Sequence, residues 1–235
     1  DGMELAAIEA LSELRTTTAQ PPFTQSLPIG FCMRDEQSDL LEEVESDFAS
    51  VQLAFDVDSE QVYPVAAEVL STITAGNDDS MLFQALREEQ ALVAEIESQI
   101  SRVGQFSRLV IRYDVRSEWL KDTLTKVFAY LHRLTMYVRP ARLNQLRTQF
   151  TTNNAMLTDD TAALNDRLGW AWMSGDTAQA DLDAAAAQYN ELTAEELLDA
   201  AQTVFRPENL TIAVQYDPET VGDLRPLLQK LRETL

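Results

Sequence analysis

The spacing of hydrophobic positions changes period several times along this chain, and each change marks an element. Leu5, Ile8, Leu11 and Leu14 recur every third residue, the stripe of an amphipathic helix over Met3 to Leu14. Thr16 to Thr24 carries Pro21-Pro22 and cannot extend that helix, because proline lacks the amide donor and clashes with the preceding turn. It is expected to be a linker or an extended crossing segment. Pro28 to Met33 and Val51 to Val57 are short apolar runs suited to strands, and the acidic Asp35 to Asp47 between them reads as a solvated loop or hairpin arm. Val62, Val65, Ala66, Val69, Leu70 and Ile73 then fall at helical spacing, with Gly76-Asn77 expected to end the helix in the left-handed conformation.

Asp78-Asp79-Ser80 offers cap oxygens and negative charge to a short second helix that buries Leu82, Phe83 and Leu86. Leu92 to Gln99 and Gln105 to Val115 read as strands around Gly104, with Leu109, Ile111, Tyr113 and Val115 on one face and Arg108 and Arg112 on the other. Glu95 and Glu97 alternate in the same way, so Glu-Arg pairs are expected to stabilise the sheet. From Ser117 the period becomes helical, through Trp119, Leu120, Leu124, Val127, Phe128, Leu131 and Leu134, and Pro140 is placed to start a new helix. Further helices run through Ala155, Leu164, Trp170, Leu182 and Tyr189, with a break at Gly175. Thr193 stands three residues before Glu196, the spacing of a capping box. Pro207-Glu208-Asn209 is a turn into a strand at Leu210 to Tyr216, and Pro218 opens the terminal helix.

At 235 residues with 45% hydrophobic content, the chain holds a sizeable core. No apolar run reaches the roughly 20 residues needed to span a bilayer. The start at Asp1, directly before a helical pattern, suits a segment excised from a longer protein, which leaves the compartment open between the periplasm or secretion and the cytoplasm of a bacterium. A net charge of -21 argues against nucleic acid, whose phosphates require clustered Lys and Arg. The charge is uneven: Asp35 to Glu97 is acidic apart from Arg87, whereas Arg102 to Arg147 is rich in Arg and Lys. The two segments read first as complements within one fold, and second as a patch for an acidic partner.

Catalytic chemistry is conspicuous by its absence. A zinc hydrolase needs three converging ligands and a nearby base, yet the chain has one histidine, His132, and one cysteine, Cys32. His132 reads as a partly exposed helix histidine beside basic neighbours. The Asp78-Asp79 and Asp159-Asp160 pairs read as helix caps. With 7 glycines, neither a dinucleotide fingerprint nor a P-loop is present.

The stretch Ser80-Met-Leu-Phe-Gln-Ala-Leu-Arg87-Glu-Glu-Gln-Ala91-Leu-Val-Ala94-Glu-Ile96 resembles a motif of the insulinase, pitrilysin and mitochondrial processing peptidase family of zinc metallopeptidases, of the form Ser-Arg-Leu-Phe-x-x-Leu-Arg-Glu-x-x-Gly-Leu-Ala-Tyr-Ser-Val. Phe205-Arg-Pro-Glu-Asn-Leu210 resembles the family's approach to its last strand, and the order of elements matches over nearly the whole chain. The resemblance is to the catalytically inactive C-terminal half. Such peptidases have two similar halves, and only the first carries zinc.

The resemblance implies an α+β half-domain with a mixed, largely antiparallel sheet flanked by helices, made of an opening helix and linker over 1–26 and a body over 27–235. It implies no cofactor in this segment, zinc only in the partner half, and Arg87 as a substrate-binding residue. The family glycine is replaced by Ala91 and the family tyrosine by Ala94, so the phenol that would share the substrate backbone with Arg87 is missing. The expected partners are an N-terminal zinc-bearing half, or a homologous subunit, and a peptide substrate. The alternatives are a pseudo-peptidase scaffold like the core proteins of respiratory complexes, and a free-standing binding module. This segment alone is expected to bind no zinc and to cleave nothing.

Overall fold

The computed structural model describes residues 39–58, 60–103, 106–174 and 182–235. The opening helix, the linker, the Pro28 to Met33 strand, Cys32 and the break at Gly175 lie outside them. A five-stranded sheet organises the fold, in the order β1 (Asp39–Glu43), β5 (Leu210–Tyr216), β2 (Phe48–Val57), β4 (Phe106–Arg116), β3 (Val93–Val103). β1 runs parallel to β5, and the other three pairings are antiparallel. The sheet is therefore mixed and largely antiparallel, as expected.

β1 is a correction, since the acidic run holding it reads as loop or hairpin arm. Charge on both faces hides the strand, yet an edge strand tolerates exposed carboxylates while its backbone pairs on one side. Its anchor is Asp39, which pairs with the Arg232 guanidinium; Arg232 is 3% exposed and also donates to the Leu210 carbonyl at 2.9 Å. The terminal helix bearing Arg232 thus holds β1 onto β5.

Alternation sorts the strands into two faces. Val51, Leu53 and Phe55 of β2, Leu109, Ile111, Tyr113 and Val115 of β4, and Ile212 and Val214 of β5 are all buried in the core. Helices cover this face: α1 (Pro64–Ala75), α2 (Leu120–Met136) and α6 (Ala194–Val204). α1 is tied to the edge strand by a buried pair, the Ser71 and Ser98 hydroxyls 2.7 Å apart, which leaves neither polar group orphaned. Phe205, just past α6, meets Phe55 edge-on with ring centroids 5.0 Å apart, a geometry that suits the aromatic quadrupole. Thr193 and Glu196 form the expected capping box at the start of α6.

α3 (Pro140–Met156) starts at Pro140 as expected, and α4 (Thr161–Ser174) and α5 (Leu182–Glu191) follow. Asp160 caps α4 by accepting from the Ala162 and Ala163 amides at 3.0 and 3.1 Å. Among the described residues, no helix is long and apolar enough to cross a membrane.

Three end-of-helix expectations need correction. Gly76 has φ -85°, so it is not left-handed; a Cβ there would lie 2.6 Å from the Thr72 Cα, and glycine is required by close approach instead. Ser80 does not cap, because its Oγ is buried without a hydrogen-bond partner among the described residues and only its carbonyl accepts from Gln84. The C-terminal helix does not run from Pro218. A short α7 (Pro218–Val221) is cut by Gly222 at φ 71°, and α8 (Arg225–Arg232) is separate.

Candidate functional site

The segment from Ser80 to Ile96 departs from regular geometry at nearly every step. Phe83–Glu88 is a π-helix, in which the Glu89 amide reaches back five residues to the Gln84 carbonyl at 2.9 Å. The turn that follows is closed by paired bonds, Ala91 N–H to the Arg87 carbonyl at 3.0 Å and Leu92 N–H to the Leu86 carbonyl at 2.8 Å. Each ring is one residue larger than in the ordinary paired-bond cap, which carries the extra π-helical residue through the turn. Ala91 sits at φ 51°, the left-handed region where a Cβ crowds the following carbonyl.

β3 then opens with a bulge. Val93 pairs with Val115 and Ile96 with Tyr113, so Ala94 and Glu95 together oppose Asp114 alone. The bulge keeps both Val93 and Ile96 in the core, and it turns Ala94 and Glu95 outward.

Arg87 is exposed at the end of the π-helix. Its guanidinium lies 4.7 Å from the Phe83 ring centre and 3.8 Å from Glu88, a cation–π contact and a loose local ion pair. Neither Arg87 nor Ala94 lines the groove on the second sheet face.

The second sheet face carries the larger feature. A groove of about 530 Å³ runs across β1, β5, β2, β4 and β3, with Glu42, Gln215, Ser50, Gln52, Asp114, Arg112, Glu95 and Glu97 in its lining. Arg112 is central, donating to Gln52 Oε1 at 3.2 Å and standing 3.9 Å from Glu97 on the edge strand. Ser50 donates to Asp114 at 2.5 Å. Arg108, expected like Arg112 to pair with a glutamate, instead bonds Asp56 on β2 at 2.6 Å.

Sequence reasoning gave Arg112 a purely structural role. Its place in a groove was hidden because no periodicity shows that the described helices all pack on the other sheet face. Below the groove Tyr113 points to the core, and its buried hydroxyl has no partner among the described residues; burial pushes the phenol pKa far up, so it stays neutral.

The family's zinc does not fit this arrangement. Among the described residues no three histidine, cysteine or carboxylate side chains converge to hold a metal. His132 is half-buried on α2, with its Nδ1 enclosed and without a partner among the described residues.

Residues 4–150 match the family profile described as the peptidase M16 inactive domain. The chain belongs to that family. It is a non-catalytic M16 domain of the C-terminal type, and solved structures agree on the fold. The M16 inactive domain from Pseudomonas fluorescens superposes with a TM-score of 0.66 at 19% identity, over 77% of this chain and 44% of that one. The periplasmic protease PqqL from Escherichia coli gives 0.63 at 15%, over 77% of this chain and 21% of its own. A chain of complex III2 from Candida albicans gives 0.64 at 10%, over 83% and 49%. This M16 domain thus spans half or less of each of these chains. No curated protein matches it by sequence.

Proposed function

We propose that this M16 domain is the closing half of a two-half peptidase, one half-domain of a longer protein with its body over 27–235. Its uncovered sheet face forms one wall of a peptide chamber opposite a zinc-bearing half. The observation that carries this reading is the polar groove on a face that none of the described helices covers, whereas the opposite face is packed with apolar side chains. Such a surface offers fixed donors and acceptors to a peptide without requiring its side chains to fill a pocket. Arg112 lies in the groove floor, and Arg87 at the end of the motif is the proposed second contact, its five N–H donors suited to a peptide carbonyl or carboxylate. Ala94 brings no phenol, and Glu95 beside it takes the outward place in the groove. Zinc and the hydrolytic step belong to the partner half in this reading.

The test uses the full protein carrying both halves, with peptide turnover measured for wild type, Arg87→Ala, Arg112→Ala and Ala94→Tyr. Raised KM in the two arginine variants, with unchanged melting temperature and improved handling by Ala94→Tyr, is the expected pattern. If the arginine variants shift only thermal stability, this half does not contact peptide. The likeness to a complex III2 chain favours a second reading, a scaffold subunit without proteolytic role. That reading predicts a parent protein with no peptidase activity and no bound zinc.

A further inference from the structure

Five of the ten basic residues between 102 and 147 form two contrasting sets. Arg108, Arg112 and Arg142 lie near acids of the earlier segment, 2.6 Å from Asp56, 3.9 Å from Glu97 and 3.8 Å from Asp79. Arg133 and Arg139 have no carboxylate partner among the described residues, and the Arg133 guanidinium rests 5.7 Å from the Tyr130 ring. Arg116 and Arg147 of the same segment also lack a carboxylate partner among the described residues, and what sets Arg133 and Arg139 apart is that they share a pocket. Both stand at the rim of one pocket of about 220 Å³ at the joint between α2 and α3, and Arg142 supplies a third guanidinium. The lining also holds Asp79 and Tyr137, and its apolar part includes Met81 and the buried side chains Ile73, Leu134 and Val138.

The charges here are arranged uphill. α3 has no acid in its first turn, and Arg139 at its N-cap makes no side-chain cap bond. A helix N-terminus already carries positive potential, so Arg139 and Arg142 add like charge to it. Arg142 donates to two neutral acceptors, Gln145 Oε1 at 2.9 Å and Asn77 Oδ1 at 3.0 Å. Burial lowers its pKa, and only Asp79 opposes that shift. One bound anion would relieve all of these contacts at once.

We propose that this pocket binds a small organic carboxylate with an apolar body, the carboxylate held among Arg133, Arg139 and Arg142 and the body against Ile73, Leu134 and Val138. A guanidinium pairs with a carboxylate through two parallel hydrogen bonds, which fixes the head group. The volume equals that of roughly seven waters, which admits a phenyl or short alkyl body and excludes a nucleotide. Bare phosphate or sulfate would leave the apolar walls unfilled. The same chemistry occurs in a free monocarboxylate and in the last residue of a peptide with a free C-terminus. None of these pocket residues lines the sheet-face groove, so this inference stands apart from the peptide-chamber reading.

Ligand-observed NMR and calorimetry on the purified protein test it, using 3-phenylpropionate, its neutral amide, and N-acetylglycyl-phenylalanine as free acid and as amide. The expected result is saturable one-to-one binding of 3-phenylpropionate and none of its amide. Arg133→Gln and Arg139→Gln, at exposed positions with unchanged melting curves, should each weaken binding by about fivefold or more. Asp79→Asn, which removes the carboxylate that lines the pocket, should tighten it. Binding of the acetylated dipeptide acid as well points to peptide ends, and binding of 3-phenylpropionate alone points to free carboxylates; both support the pocket. The proposal is overturned by no saturation up to about 10 mM acid, by equal binding of the amide, or by unchanged affinity in both arginine variants.

Discussion

Ala91→Gly should stabilise this protein, against the usual effect of placing glycine in a folded chain. Ala91 is held at φ 51° by the two bonds that close the turn after the π-helix, and its side chain is exposed, so its methyl contributes strain without packing. For an L-residue the left-handed region costs roughly 1–2 kcal/mol. Glycine removes that cost but adds freedom to the unfolded chain, worth about 0.4–1 kcal/mol in the opposite direction. The balance is a gain of about 0.8 kcal/mol, or about 2 °C in Tm for a chain of this size. In urea it corresponds to a midpoint rise of about 0.3 M at an unchanged m near 3 kcal/mol/M.

Gln90→Gly is the internal control, because Gln90 is exposed and does not have a positive φ. It should lower stability by about 0.7 kcal/mol through the unfolded state alone. The difference between the two neighbouring variants, about 1.5 kcal/mol, then measures the left-handed penalty itself. A lower midpoint for Ala91→Gly, or equal effects of the two substitutions, would refute the reasoning.

Two further outcomes follow from the fold. Arg232→Leu leaves Asp39 and the Leu210 carbonyl without their buried partner, and should cost about 3 kcal/mol; hydrogen exchange at Leu40 to Glu43 should accelerate more than at β2, and equal protection would refute the anchoring role. Thr193→Ala should destabilise α6 above pH 5. Thr193 lowers the pKa of Glu196 through backbone and side-chain hydrogen bonds, so the carboxylate's contribution is present above its unfolded pKa and is lost as pH falls through the folded value. Urea titrations should show the gap narrowing toward pH 3 to the part carried by the Glu196 amide bond to Thr193 Oγ1, and a gap that does not narrow would count against the Glu196 carboxylate as a contributor.

Much of the fold was readable because its elements obey a single period. β5 alternates cleanly, β2 and β4 alternate apart from the buried Ala54 and Val110, α2 keeps its apolar stripe from Leu120 to Leu134, and α6 announces itself by Thr193 and Glu196. β1 was unreadable because its stability comes from Arg232, almost two hundred positions downstream, and from backbone pairing with β5. The open groove was unreadable for a related reason. Arg108 and Arg112 alternate identically, and only the register shows that one is matched by Asp56 while the other stands in a groove beside Glu97. The motif segment carried the family but not its own geometry: no local pattern distinguishes a π-helix from an α-helix over six residues.

That segment is also where the departures from ideal structure gather. Within 17 residues there is a buried hydroxyl without a partner at Ser80, a π-helix at Phe83–Glu88, a left-handed Ala91 and a bulge at Ala94-Glu95. Each is individually unfavourable, and outliers of this kind persist when the surrounding structure over-determines them. Here the surroundings are identifiable: Leu82, Phe83 and Leu86 are locked into the core on one side of the turn, and Val93 and Ile96 on the other. The chain between these anchors must reverse in few residues and still deliver both ends inward. A left-handed residue and a bulge achieve that. Alanine at position 91 follows this backbone path and carries the strain of its left-handed conformation. The path is set by the core, while the exposed residues along it, Arg87, Ala94 and Glu95, are free to change with function. Ala94→Tyr should accordingly be tolerated by the fold, its side chain entering solvent at the bulge, so that any change it makes in peptide turnover reports on contact and not on folding.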